Sequence, residues 1–313
     1  MIMDLRTEAL ISEIKLNALL PDGMFEDDDI ISFLNDAYFS EVIPFIMRHR
    51  EDFYLTYTDF DPAASITIPS DAIAQKLKDV QIKRDANTFY SLPRLSMNEI
   101  TSNRFVRRDG FYIQDNTIYF HPRAQTNTIR LIYFKRPYVL VDSNADTGTT
   151  KNYTISEIEK PPLQANAAVK LEDTTLIEYK VYAGTTLTIT KVTPPFKSID
   201  TVTPLESQIN QSRIYIGEDE VDEVSVGDVL CPGGYSGVPK IPVEAKDFLV
   251  QSAILKAMIA IKDKDGYAIA KDIVKEAKSI LSGLISPRIE DEVKKIVNTG
   301  PLWNGGNSRG WRK

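Results

Sequence analysis

The sequence predicts an α+β fold in which helices from both ends of the chain form a helical bundle, with a large antiparallel β-rich insertion between them. Apolar residues recur at helical spacing up to residue 52 and again from residue 243. Between these regions, β-branched and aromatic runs alternate with turn signals. The chain has 313 residues, 42% of them hydrophobic, which is enough for two or three domains with their own cores.

Residues 1–52 form the first part of the predicted helical platform. Apolar side chains from Leu5 to Leu20 fall near helical spacing, and Pro21-Asp22-Gly23 marks the end of that helix. The acidic run 26–29 favours the start of a second helix, because carboxylates interact well with the positive end of the helix dipole. Pro44 is expected to kink or split this second helix.

Residues 53–140 are predicted to form a small antiparallel β domain. The strand signal that begins at Ser65 ends in a proline, Pro69. The signal Gly110–Phe120 contains an Asp-Asn turn, which is typical of a hairpin. The predicted strand segments are Phe53–Thr58, Ser65–Pro69, the two arms of Gly110–Phe120, and Thr128–Phe134.

Residues 141–240 are predicted to form a second β-rich insertion module, which begins after a polar, turn-rich loop at 142–152. Its strand signals include a hairpin that pairs Thr175–Tyr182 with Thr185–Val192. Further strands are predicted at Arg213–Ile216 and Val224–Leu230. The module ends at a breaker-rich connector, Cys231–Pro239.

Residues 243–285 complete the predicted helical platform. A short link at 263–266 between two helical patterns indicates an antiparallel helix pair. The second helix has an apolar stripe expected to face the core, which consists of Ala270, Ile273, Val274, Ala277, Ile280, Leu281 and Leu284.

Composition excludes several classes of protein. Lys and Arg total 37 against 44 Asp and Glu, so the net charge of −7 disfavours generic binding to nucleic acid phosphates. Cys231 is the only cysteine and can form no internal disulfide, which suits synthesis in a reducing cytoplasm. The N-terminus has no signal-peptide pattern, and no apolar run has the length of a membrane span, so no membrane partner is expected.

No catalytic, cofactor-binding or metal-binding constellation is predicted. His49 and His121 have no ligand spacing, and Val238 replaces the last glycine that a Gly-x-Ser-x-Gly nucleophile elbow would need. Glycine-rich phosphate loops are also missing from the sequence. The aspartates at 27–29 fit a solvated helix start better than a calcium loop.

Two charged clusters are candidate inter-subunit faces. The basic one, Arg104, Arg107 and Arg108, has an aromatic neighbour and could contact nucleic acid, but an inter-subunit salt-bridge surface explains it at least as well. The acidic cluster consists of Glu218, Asp219, Glu220, Asp222 and Glu223. A solvated loop is its ordinary interpretation, with an ion-sensitive patch or a partner for a basic tail as the alternative.

Residues 286–313 are predicted to be an extended C-terminal arm. The segment is polar and basic with no apolar period, which is typical of a chain that becomes ordered on a partner. Tryptophan and arginine are the side chains that most often anchor such contacts. The predicted docking residues are Arg288, Lys294, Lys295, Trp303, Arg309, Trp311 and Arg312.

Several phrases of the sequence resemble the head-to-tail connector, or adaptor ring, proteins of tailed bacteriophages. They are Asp29–Ala37 with Ile43–Asp59, Ile68–Val80 with Ser91–Arg94, Gly110–Pro122 with Ile129–Pro137, Ile241–Glu244, and Ser286–Asn298. Together they span residues 26–137 and 239–298, whereas residues 141–238 match nothing in that family. Within these phages, the crAss-like short-tailed group is the most similar.

The resemblance implies a structural virion protein at the head-to-tail junction, synthesised in the host cytoplasm. It implies a homo-oligomeric ring, commonly twelve-fold, that contacts the portal protein and downstream tail or ring proteins. Double-stranded DNA would pass through its channel without sequence-specific binding. The alternative function is a carbohydrate- or receptor-binding tail module, which the strand-rich residues 153–230 and their tyrosines suggest. A hydrolase would rest only on abundant carboxylates.

Overall fold

The computed structural model of the chain describes residues 4–19, 21, 23–85, 88–101, 109–121, 126–141, 153–159, 166–171, 187–192, 198–202, 206–208, 213–217 and 224–285. Helices lie near both ends of this set, and the strands between them pair antiparallel with one exception. The predicted α+β class is therefore confirmed.

The N-terminal region contains three helices. They are α1 (Thr7–Asn17), α2 (Asp27–Ala37) and α3 (Ile43–His49), and the π-helical turn Tyr38–Val42 joins α2 to α3 without a break. The Ile43 amide donates to the Tyr38 carbonyl, which widens the helix one turn before the ring of Pro44. This widening accommodates proline, which lacks an amide hydrogen and crowds the preceding turn. Pro44 therefore changes the helix locally but does not end it.

The main core unites the two ends of the chain. Buried side chains of α1, α2 and α3 share one apolar cluster with those of helices α5 (Lys246–Ala260) and α6 (Lys264–Ile285). Both α1 and α2 contact α5, and α6 packs back on α5 after the short link 261–263. The predicted C-terminal helix pair is therefore present. A 3-10 turn, Val243–Ala245, leads into it.

A two-layer β structure follows the N-terminal helices. Phe53 and Tyr54 were predicted to begin a strand, but they belong to the 3-10 turn Glu51–Tyr54. The strand begins at Leu55. A short helix, α4 (Met97–Thr101), lies between the strands. The strands are β1 (Leu55–Phe60), β2 (Ser65–Thr67), β3 (Ala72–Asp85), β4 (Thr88–Ser91), β5 (Gly110–Gln114), β6 (Thr117–His121) and β7 (Ile129–Lys135).

The two layers have the orders β1-β7-β3-β4 and β2-β6-β5. Ile129, Leu131 and Tyr133 of β7 are buried as the alternation predicted, and they share a second apolar cluster with Ile118 and Phe120 of β6. The β5–β6 hairpin turns at Asp115-Asn116, as predicted, with Asp115 in the left-handed region at φ 54°. Aspartate is one of the few residue types that tolerate this conformation.

A seven-stranded sheet occupies the second β-rich region, in the order β12-β11-β15-β9-β10-β14-β13. Its strands are β9 (Tyr153–Glu159), β10 (Asn166–Leu171), β11 (Leu187–Thr190), β12 (Ser198–Val202), β13 (Glu206–Gln208), β14 (Arg213–Gly217) and β15 (Val229–Pro232). Strand content and the strand at Arg213–Ile216 are confirmed. The predicted loop 142–152 lies outside the described residues.

Two details of this region differ from the prediction. Strand β11 has β12 on one edge and β15 on the other, so neither edge is free for the predicted hairpin with Thr175–Tyr182, which lies outside the described residues. The strand predicted from Val224 begins only at Val229, because a turn at Gly227, with φ 94°, precedes it. Both errors concern contacts and turns that a strand propensity does not encode.

The predicted connector 231–239 is part of the folded core and not a simple link. Within it, β16 (Tyr235–Ser236) pairs in parallel with β8 (Val139–Leu140). Cys231 and Val238 are buried in the main core. The chain therefore enters and leaves the seven-stranded region through two adjacent strands.

The helical run Asp27–His49 is long and apolar enough, by length and composition alone, to cross a membrane. No apolar run of that length was expected from the sequence. Its buried side chains, among them Leu34, Tyr38 and Ile46, belong to the main core. Core helices of proteins commonly have such a length and composition. Packing inside the protein therefore accounts for the apolar character of the run.

Candidate assembly surfaces

The site residues predicted from the sequence all lie outside the described part of the chain. They are the basic cluster Arg104, Arg107 and Arg108, the acidic cluster Glu218, Asp219, Glu220, Asp222 and Glu223, and the arm residues Arg288, Lys294, Lys295, Trp303, Arg309, Trp311 and Arg312. Their roles remain predictions. The described residues present other surfaces, which the sequence did not indicate.

One such surface is the outer face of the four-stranded sheet. Register places Asp59 opposite Arg130, and the Arg130 guanidinium donates to both carboxylate oxygens at 2.7 and 2.8 Å. The same guanidinium lies 4.2 Å from the Tyr57 ring centroid and 3.9 Å from that of Phe89. The hydrogen bond from Arg130 lowers the pKa of Asp59. Tyr57 stays 60% exposed, so this face offers an ordered aromatic and charged patch to a partner.

A second ionic group joins the β layers to the end of the N-terminal helices. Lys76 and Lys78, both on β3, donate to the Glu51 carboxylate, and Lys76 also lies 4.7 Å from the Phe134 ring centroid. These hydrogen bonds lower the pKa of Glu51, and the bond from Lys78 has the larger effect. Ala74 and Gln75, just before the lysines, have positive φ values of 48° and 55°. Because the side chains are largely exposed, we assign this group a positioning role with little effect on stability.

Two buried tyrosines tie the N-terminal helices to the chain just before the C-terminal helices. The Tyr38 hydroxyl accepts the Lys240 amide hydrogen at 2.9 Å, and the Tyr54 hydroxyl donates to the Lys240 carbonyl at 3.2 Å. Burial raises the pKa of both tyrosines well above the ordinary value. Both phenols therefore stay neutral and keep their hydrogen bonds at physiological pH.

Polar contacts also link the N-terminal helices to β8. The Asn35 side chain donates to the Leu140 carbonyl at 2.9 Å and accepts the Leu140 amide hydrogen at 2.8 Å. The Thr7 hydroxyl donates to the Val141 carbonyl at 2.7 Å. These bonds fix the point where the second β-rich region leaves the helical region.

The apolar stripe predicted on α6 divides into two. Of the predicted residues, Ala270, Val274 and Leu281 are buried against the core and Ala277 is partly buried against it. Ile285, which was not in the predicted stripe, is also buried. The predicted core residues Ile273, Ile280 and Leu284 are instead 41%, 58% and 61% exposed. The apolar face of α6 is wider than the face that α5 covers, so its second edge projects beyond the contact.

This exposed edge forms one wall of a groove between α5 and α6, with a volume of about 370 Å³. Phe248, Ala277 and Leu281 contribute to its apolar lining. The lining also contains the carboxylates of Glu244, Asp247 and Glu276, and no lysine or arginine. Sequence reasoning missed this groove, although a stripe of seven apolar residues is wider than one helix contact requires.

The residues that could have carried chemistry are placed in structural roles. Cys231 is buried, and burial raises the pKa of its thiol, so it does not supply a reactive thiolate. The His49 ring packs 4.5 Å from that of Phe45. Asp27 begins α2, and Asp29 accepts the Glu26 amide hydrogen, so the acidic run is a helix start as predicted. Among the described residues, no group of three or more His, Cys, Asp or Glu side chains could hold a metal ion.

The family of this protein follows from its similarity to a known family model. A family model described as SU10 adaptor protein matches residues 8–172, slightly more than half of the chain. The chain belongs to the SU10 adaptor family. The match confirms the resemblance to phage head-to-tail adaptors, a class of structural virion proteins that join the head to the tail. Membership implies association with portal and tail proteins. No curated protein matches the chain.

The extent of the family match differs from the extent of the resemblance read from the sequence. It begins in α1 and continues through β9 and β10, so part of the second β-rich region belongs to the family after all. The C-terminal phrases at 239–298 lie beyond it. The alternative of a carbohydrate- or receptor-binding module gains no support from the match.

Proposed function

We propose that this protein is the subunit of an adaptor ring between the portal and the tail, which works through assembly and not catalysis. The observation that carries the proposal is the SU10 adaptor match over residues 8–172, from α1 to the end of the strand β10. Burial of Cys231 and the structural roles of the aspartates in α2 agree with a non-catalytic protein.

The ring would be homo-oligomeric, with twelve subunits the expected number. A closed ring needs two unlike, complementary faces on each subunit. The outer sheet face around Arg130 and the acidic groove between α5 and α6 are two such unlike surfaces. Double-stranded DNA would pass without sequence-specific contacts, and channel-lining residues should be polar or acidic, because a basic lumen would retain phosphates.

The division of labour within the subunit follows from the packing of its two ends. Helices from residues 1–52 and 243–285 share the main core, which supports a single helical bundle as the ring platform. The β domain 53–140 and the β-rich module 141–240 would extend from that platform. Residues 286–313 would form the arm that docks on the portal or on a neighbouring subunit.

Mass measurement and class averages of the purified virion neck test the proposed ring. We expect a closed ring of about twelve copies of this chain, directly beneath the portal. A chain found outside the virion, or a single copy beside the portal, would contradict the proposal.

A further inference from the structure

The groove between α5 and α6 carries an inference that goes beyond the ring proposal and does not depend on it. We propose that the C-terminal segment 299–313 of the same chain docks in this groove in the isolated subunit. Its tryptophans would cover the apolar lining, and its cationic side chains would face the carboxylates.

The apolar lining calls for a large apolar partner. Ile273, Ile280 and Leu284 together present an aliphatic wall that the described residues leave uncovered. Phe248 and Leu281 close the base of the groove. Its volume of about 370 Å³ is in the range of sites that bury small organic groups, and is sufficient for an indole ring. Trp303 and Trp311 are the only tryptophans of the chain.

Charge complementarity points to the same segment. Glu244, Asp247 and Glu276 belong to the lining. Glu244 interacts electrostatically with the Arg50 guanidinium, whereas none of the ion pairs between described residues uses Asp247 or Glu276. Residues 299–313 contain no Asp or Glu, and their charged side chains are Arg309, Arg312 and Lys313. A cationic segment with two aromatic anchors therefore complements an apolar groove that has an anionic rim.

Chain length favours the segment of the same subunit over that of a second copy. Residues 286–302 connect Ile285 to Trp303, and a random coil of that length has an end-to-end distance on the order of 20 Å. Along α6, Ile273 and Leu284 are separated by about 17 Å at a rise of 1.5 Å per residue. Because the tether matches the groove, its effective concentration reaches the millimolar range, above that of a second copy in dilute solution.

Tryptophan fluorescence of the full chain tests this directly, since both tryptophans are in the segment. We expect the emission of the folded protein to lie at shorter wavelength than in denaturant, with reduced quenching by acrylamide. Ile280→Asp should move the emission back toward that of the unfolded chain. Ile269→Asp is the matched control, because Ile269 is 64% exposed on the same helix but does not line the groove.

A second variant addresses the charge component and guards against loss of folding. Glu276→Lys changes an exposed side chain and should shift the emission in the same direction while the circular dichroism stays unchanged. The shift should be smaller at high salt, because exposed charge pairs are screened.

Three results would overturn the proposal. The first is emission from the folded chain at the wavelength of the denatured chain. The second is an equal effect of Ile280→Asp and Ile269→Asp. The third is a blue shift that develops only as the protein concentration rises, together with a dimer mass in sedimentation, which would assign the groove to a second copy. None of these bears on the copy number in the virion neck, so the two proposals fail separately.

Discussion

At the scale of single residues, hydrogen bonds to distant backbone groups hold the helices on the β regions. The Asn35 side chain makes two bonds to Leu140, which is 105 residues away in the sequence. We predict that Asn35→Ala lowers the free energy of unfolding by about 1–3 kcal/mol, since two backbone groups lose their partner. Asp36→Ala, an exposed neighbour on the same helix, is the control. Equal urea midpoints for the two variants would contradict this assignment.

Residue burial also predicts a loss of stability in alkali. Tyr38, Tyr54 and Cys231 are buried and have a raised pKa, so each keeps its proton in the folded protein. The unfolded chain ionises near the ordinary values, 9.0 for cysteine and 10.0 for tyrosine. The folded state therefore binds more protons above about pH 9, and its stability falls as pH rises, by up to about 1.4 kcal/mol per pH unit for each group.

Two variants separate these contributions in urea titrations between pH 8 and 11. In Cys231→Ala, the free energy of unfolding should begin to decline about one pH unit later, near the ordinary tyrosine pKa of 10.0. In Tyr38→Phe the onset should stay the same, but the slope above pH 10 should be shallower. If all three proteins gave the same slope and onset, these buried groups would not be the cause.

At the scale of elements, helix α6 has a buried edge and an exposed edge that carry the same residue type. Both Leu281 and Leu284 line the groove, but Leu281 is 1% exposed at its base, whereas Leu284 is 61% exposed. Leu281→Ala should lower the free energy of unfolding by about 2–5 kcal/mol, the usual cost of a cavity in the core. Leu284→Ala should cost less than about 1 kcal/mol. Chemical denaturation of the two variants checks this, and similar losses would mean that the groove is covered by core packing.

Elements were predictable from the sequence where one local pattern decided them. The alternation of Ile129, Leu131 and Tyr133 predicted strand β7, and the Asp115-Asn116 turn predicted the β5–β6 hairpin, so both were correct. Strand β3 was missed, because its charged residues show no alternation and Ala74 and Gln75 interrupt its register. The partners of β11 and the parallel pairing of β8 with β16 depend on contacts between distant residues. No local pattern encodes such pairings.

The candidate surfaces were less predictable than the fold. The α6 stripe was read correctly as apolar, but all seven of its residues were assigned to the core. Helical periodicity gives the width of an apolar face, and not how much of it a neighbouring element covers. The Arg130 patch depends on the register between β1 and β7, which only the folded sheet supplies.

At the scale of the whole molecule, the C-terminal arm should be separable from folding. Within the described part of the chain, the last helix of the main core, α6, runs to Ile285. A chain that ends after Pro287 should therefore keep the circular dichroism of the full chain. Its thermal midpoint should fall by no more than a few degrees, which corresponds to a loss of about 1 kcal/mol in the free energy of unfolding. The same chain should no longer be retained by the portal. Full unfolding of the shortened chain would mean that the arm belongs to the core.

The union of the two chain ends in one core has a consequence for synthesis. The hydrogen bond from the Lys240 amide to the Tyr38 hydroxyl can form only after the ribosome has added Lys240, which lies 202 residues later in the chain. At about 5–20 residues per second, the N-terminal helices spend on the order of 10–40 s outside the ribosome without their partner. Chains released early by the ribosome would lack α5 and α6 and could not complete the main core. The main core is therefore completed only after its last two helices have been synthesised.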